Sequence, residues 1–329
     1  MRRLPPKPVR RLVLAPLVAA LDLAILVVSP LLLLVAIILG PLLGGTRPAR
    51  AVLIVVIFAA RHLEALLALL ALWLRRLPDD RARDEHYRVM RRFVTAVVGS
   101  IMRIARVEAL HVDSDAALRA LKGDRPVVLL SRHAGEGDTL LVIHELLCRH
   151  DRRPRVVMHE ALRLDPLIDT LGTRVPNRFV DPRGGDTEVE IAALAGDLDA
   201  RSALVIFPEG ANFTPERRRR AIERLARRGH ARQAAAAEAM QHVSAPRPGG
   251  ALAAIEAAEA PDVVVMGHVG FPAGLGEVWR LLPKRQTIEI KLWHEPAEAI
   301  PGGEQERIDW LFDRWRRLDD WVREREDPT

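Results

Sequence analysis

From Leu12 to Leu43 the chain runs for about 32 residues with Asp22 as its only charge. As a helix this stretch would reach about 48 Å, more than the hydrocarbon thickness of a bilayer. A segment so apolar on every side has to be covered, by protein or by lipid. Pro16, Pro30 and Pro41 are expected to kink or end it, which places its helical core at Pro16 to Leu39. Upstream, MRRLPPKPVRR carries five positive charges in eleven residues. That resembles the charged start of a signal peptide, but the apolar run is too long for one, so an uncleaved anchor is expected.

The turn-forming GPLLGGTRP separates this run from a second apolar segment, Ala51 to Leu74, interrupted by Arg61, His62 and Glu64. Arg61 and Glu64 stand three apart on a helix and are expected to pair, which lowers the cost of both charges and argues against a lone, lipid-facing span. The two segments read as a hydrophobic hairpin over residues 1–84. Arg75, Arg76, Arg81 and Arg83 follow it. Both ends of the hairpin are then positive, and both are expected on the cytoplasmic side of the inner membrane. A buried helical hairpin within a soluble protein is the plainer alternative.

After LPDD the composition changes, and a second unit is expected over residues 85–329. Mostly continuous apolar runs at Val127–Ser131, Arg155–His159, Ala203–Phe207, Val263–Val269 and Thr287–Leu292 alternate with helical patterns. Strands without polar alternation are covered on both faces, so the fold class is α/β, a mostly parallel or mixed sheet flanked by helices. In the last helix Ile308, Leu311, Phe312, Trp315, Leu318 and Val322 recur at helical spacing and read as a core-facing stripe.

Several function classes find no support. HELLC lacks the second histidine of a zinc-protease helix, and no G-x-S-x-G occurs. One tyrosine and no recognition motif leave only the net charge of +6 to suggest nucleic acid, so no nucleic-acid partner is expected. Cys148 is alone and cannot form an internal disulfide.

Two loops carry chemistry. In SRHAGEGDTLL, His133 falls just past a strand and Asp138 at the start of a helix. Five helical steps would leave the two side chains about 140° apart, so the turn must bring them together, with Gly135 and Gly137 permitting the curl. Asp138 would then orient the imidazole as a general base; a plain helix cap is the alternative. In ALVIFPEGANFTPERRRR a second strand stops at Pro208 and presents Glu209 and Gly210. Arg217 to Arg220, with further arginines as far as Arg232, read as a solvated helix face or as a contact for headgroup or coenzyme A phosphates.

With these loops in order, the chain resembles the PlsC-type phospholipid/glycerol acyltransferase family, whose first motif is N-H-x4-D and whose third is close to F-P-E-G-T-R. VPNRFVDPRGGD is similar to its second motif, and VVVMGHVGFP falls where the fourth, apolar one belongs. EGANFT, HVSAPRPGG and WLFDRWRRLDDW resemble the lysocardiolipin and lysophosphatidylinositol acyltransferase branch. Arg132 stands where the family has Asn, Ala211 and Asn212 where it has Thr-Arg, and Pro182 displaces the second-motif arginine to Arg183.

The resemblance implies a membrane enzyme that moves a fatty acyl group from acyl-CoA or acyl carrier protein to a lysophospholipid hydroxyl. It implies no metal or redox cofactor. His133 and Asp138 would be catalytic; Arg132, Arg178, Arg183, Glu209 and Gly210 would serve substrate binding. Acyl carrier protein would be a partner where it supplies the acyl group. A non-catalytic lipid-binding scaffold of the same fold, or a glycolipid acceptor, are the alternatives.

Overall fold

The computed structural model describes residues 4–135, 137–181, 187–272, 274–282 and 284–326. Three long helices lead: α1 (Ala15–Leu39), α2 (Arg47–Arg75) and α3 (Asp79–Ala105). Then follow β1 (Val107–His111), α4 (Asp115–Lys122), β2 (Val127–Ser131), α5 (Asp138–His144), β3 (Arg153–His159), α6 (Pro166–Arg174) and β4 (Arg178–Val180). The chain continues through α7 (Thr187–Gly196), β5 (Ser202–Ile206), α8 (Pro215–Arg227), α9 (Ala231–Ala239) and α10 (Pro248–Ala257). It closes with β6 (Asp262–Val269), α11 (Leu275–Leu281), β7 (Gln286–Glu295) and α12 (Glu304–Glu326).

The seven strands form one mixed sheet in the order β1-β7-β6-β2-β5-β3-β4. Only the β6–β7 pair is antiparallel. β2, β5 and β6 are buried along their whole length, because helices cover both sheet faces, and this is why they read as unbroken apolar runs. One face packs under α7, α10 and α12, where Leu311, Phe312, Trp315, Leu318 and Val322 are all buried. On the other face Leu121, Leu141, Val142 and Leu146 close the core.

The first apolar helix runs over the expected core, as Ala15–Leu39, and gives way at its end to a 3-10 turn, Gly40–Leu42, that holds Pro41. Pro16 and Pro30 lie within it without breaking it, because each missing N–H is accommodated. Before Pro16 the backbone widens into a π-turn over Arg10–Leu14, in which Ala15 N–H donates to Arg10 C=O. At Pro30 the carbonyl left without its usual donor is that of Leu26, and Ser29 Oγ donates to it at 2.8 Å. Polar side chains of this kind let a helix run through proline.

α1 and α2 pack as a hairpin, and Arg61 pairs with Glu64 at 2.7 Å as their spacing suggests. Both helices are long and apolar enough to cross a membrane, and α1 leaves Leu17, Leu21, Val27, Leu31 and Leu34 exposed. The hairpin is nonetheless fastened to the rest of the chain. Asp22 Oδ2 lies 2.6 Å from His62 Nδ1, and His62 Nε2 lies 3.5 Å from Asp165, which itself caps α6 through the N–H groups of Leu167 and Ile168. Arg10 reaches Asp169 on α6 at 3.2 Å. Ala65 and Leu69 of α2 share a buried cluster with Met90 and Val94 of α3 and Leu167 and Leu171 of α6. α3 runs unbroken across residue 85, where the composition changes.

Candidate active site

The site is assembled at the carboxyl ends of two adjacent parallel strands, β2 and β5, where α/β sheets usually place ligands. Beyond β2 the chain turns outward at His133 and re-enters as α5 at Asp138. Gly137 adopts φ +125° to make that turn, and Phe271 sits 3.3 Å from where a Cβ would project. A side chain there would be strained and would press on an aromatic ring.

His133 Nδ1 lies 3.1 Å from both carboxylate oxygens of Asp138. Asp138 is fully buried, whereas the His133 side chain keeps about 20% of its surface exposed. Gly135 N–H adds a third bond to Asp138 Oδ2, at 3.1 Å. Burial opposes ionisation of this carboxyl, but the bonds from His133 and Gly135, with the imidazole of His268 nearby, hold it below the usual carboxylate range. An anionic Asp138 accepts Nδ1–H, so the His133 lone pair is left on Nε2. That nitrogen makes no hydrogen bond among the described residues. The ring rests on Phe207, centroids 4.5 Å apart.

Glu209, two residues past that ring, is a brace. Its carboxylate is buried and accepts His133 N–H at 2.9 Å through Oε1 and Ser244 N–H at 2.8 Å through Oε2. The two strand-end loops and the segment before α10 are thereby joined through one side chain. Burial pushes its carboxyl up to about 7, with the two N–H bonds and Arg132 pulling the other way. Gly210 has φ +72° and donates to Phe207 C=O at 2.9 Å; the Arg247 guanidinium packs 2.9 Å from where its Cβ would be. Phe213 N–H donates to His133 C=O at 2.7 Å, closing the second loop onto the first.

The arginines expected at the site are placed differently. Arg132 is buried and turned toward β6 and α12, donating to His268 C=O at 2.7 Å and His242 C=O at 3.1 Å, with Glu326 at 3.4 Å. Its guanidinium is committed to protein carbonyls and does not extend into the loop with His133. Arg178 starts β4 at the sheet edge, with β3 between that strand and β5, and pairs with Glu190 at 2.9 Å. Arg183 lies outside the described residues.

One neighbour escaped the sequence reading. His268 of β6 is fully buried, its Nε2 3.8 Å from Asp138 Oδ2, and neither ring nitrogen has a hydrogen-bond partner among the described residues. Burial and then Arg132 push its pKa down to about 4, so it stays neutral. A histidine in a strand buried on both faces carries a desolvation cost that calls for a polar neighbour, but which neighbour it meets depends on how β6 pairs in the sheet.

No curated protein matches the chain. A family model described as Acyltransferase matches residues 110–266, the span that holds both strand-end loops. Residues 110–266 of this chain belong to the PlsC-type acyltransferase family, whose members transfer acyl groups in lipid metabolism.

Proposed function

We infer that the chain is a lysophospholipid acyltransferase working at a membrane surface, with a thioester, acyl-CoA or acyl carrier protein, as donor. The observation that carries the reading is the His133–Asp138 pair: an imidazole whose Nδ1 is held by a buried carboxylate and whose Nε2 has no hydrogen-bond partner among the described residues. A lipid hydroxyl does not ionise at neutral pH, so a base must take its proton as it attacks. Nε2 accepts that proton while the hydroxyl oxygen bonds to the thioester carbon. Asp138 stabilises the imidazolium so formed. The C–S bond then breaks and the thiolate leaves with the electron pair. Backbone N–H groups of the glycine-bearing turns are the candidates for holding the oxyanion between these steps.

The exposed apolar side of α1 supports membrane attachment by the 1–84 hairpin, with residues 85–329 on the cytoplasmic side. Acceptor and product would then be neighbours of the enzyme in the bilayer. The experiment is acyl transfer from labelled acyl-CoA to a panel of lysophospholipids in membranes carrying the protein. His133→Ala is expected to lower turnover by about 100- to 10,000-fold, the usual contribution of a general base. Equal product from wild type and variant would end the reading, and product from neither would favour a lipid-binding scaffold.

A further inference from the structure

The third motif lacks its family arginine, and neither Arg132 nor Arg178 replaces it in space. Arginines converge elsewhere. Behind Gly210 lies a cavity of about 410 Å³ between α8, α10 and α12, with Leu225, Pro246, Ile308 and Phe312 among its apolar walls. Arg224, Arg228, His230 and Arg247 line the same cavity. Arg247 N–H donates to Pro208 C=O at 2.8 Å, so this wall is fastened to the Pro208–Gly210 turn that also presents Glu209.

The four basic side chains are left without acceptors among the described residues, unlike their neighbours. Arg217 donates to Asn212 C=O, Arg218 to Glu238 C=O, Arg219 pairs with Glu223 and Arg232 with Asp309. Those that face the cavity repel one another: burial and then Arg247 and Arg228 push the pKa of Arg224 down. One acidic side chain is among the described lining, Glu188, resting against Gly249 in the first turn of α10. It offsets part of the charge and leaves an excess. Like charges gathered over an apolar floor are stable with an anion between them, and guanidinium groups suit the paired oxygens of a phosphate.

We propose that this cavity binds a phosphomonoester carried on an apolar or ring-bearing body, gripped by Arg224, Arg228 and Arg247. Two substrates of the acyl-transfer reading present that group, the 3′-phosphate of coenzyme A and the headgroup of a 1-acylglycerol-3-phosphate. The cavity rests on that reading for the choice of probe only.

The test uses the full chain in phosphatidylcholine nanodiscs. Binding of labelled coenzyme A and of 3′-dephospho-coenzyme A is measured by equilibrium dialysis. Binding of labelled lysophosphatidate and of monoacylglycerol is measured by partition between protein-bearing and empty discs. Arg228→Gln, at an exposed position, and the Arg228→Gln/Arg247→Gln double variant are compared with wild type, with Arg247→Lys retaining the charge. The expected result is a loss of about 10- to 100-fold in affinity for one of the phosphate-bearing probes and none for its dephosphorylated partner, as removal of charge-assisted bonds gives. Which probe responds identifies the source. Unchanged affinity for both, or equal loss with and without the phosphate, overturns the proposal. Arginine-dependent binding in a protein that transfers no acyl group would leave the cavity standing and remove the enzyme.

Discussion

His268 Nε2 stands 3.8 Å from Asp138 Oδ2, an oxygen that His133 Nδ1 also approaches. A neutral imidazole beside Asp138 favours its charged form, so removing it should leave a carboxylate that holds the His133 proton more tightly. His268→Phe keeps the bulk and deletes the nitrogens. It is expected to move the acidic limb of the kcat/KM profile up by about 0.5 to 1 pH unit, whereas a purely space-filling role would leave the limb in place. Glu209 gives a second pH effect, in stability. The folded state binds its proton up to about 7, while an ordinary carboxyl releases it near 4.5. Folding therefore takes up a proton in that interval, and stability should fall as pH rises from about 4.5 to about 7 and stay reduced above it, by on the order of 3 kcal/mol. Urea midpoints from pH 4 to 8 should show this decline in wild type and a flatter line in Glu209→Gln. The His-x4-Asp pair was legible in sequence because its glycines and strand-turn-helix setting announced the curl. His268 was not, since a lone histidine inside VVVMGHVGFP looks like core until β6 is laid beside β2.

Among the elements, visibility followed coverage. β2 and β5 declared themselves as VVLLS and SALVI because two helical layers bury both of their faces. β1, VEALH, at one edge, and the three-residue β4 at the other bury too little to leave an apolar run, and neither was expected from sequence. Pro30 is an exception of another kind, standing inside α1 without ending it. Pattern alone does not show that Ser29 will take over the carbonyl of Leu26. The joint between α1, α2 and α6 was equally silent, since Asp22, His62 and Asp165 lie far apart in the chain. Removing one member of a buried pair strands its partner, so His62→Ala should cost about 3–5 kcal/mol. The check is protease cleavage between residues 40 and 50, which should accelerate in the variant while far-ultraviolet ellipticity of the sheet domain persists.

For the whole molecule, the net charge of +6 is distributed unevenly in its satisfaction: many arginines are paired, and those around the cavity beside Gly210 lack acceptors among the described residues. Salt should accordingly weaken association with anionic vesicles more than with zwitterionic ones, measured by co-flotation, because exposed charges are screened within about 10 Å at 0.1 M. The fastening of the hairpin has a mechanical meaning as well. With Asp22 bonded through His62 to the cap of α6, and Arg10 held by Asp169, the apolar helices cannot shift without pulling on the sheet domain. Were the hairpin to lie in a bilayer, as proposed above, its depth would set the altitude of His133 over the lipid, much as the length of a stem sets the height of a lamp.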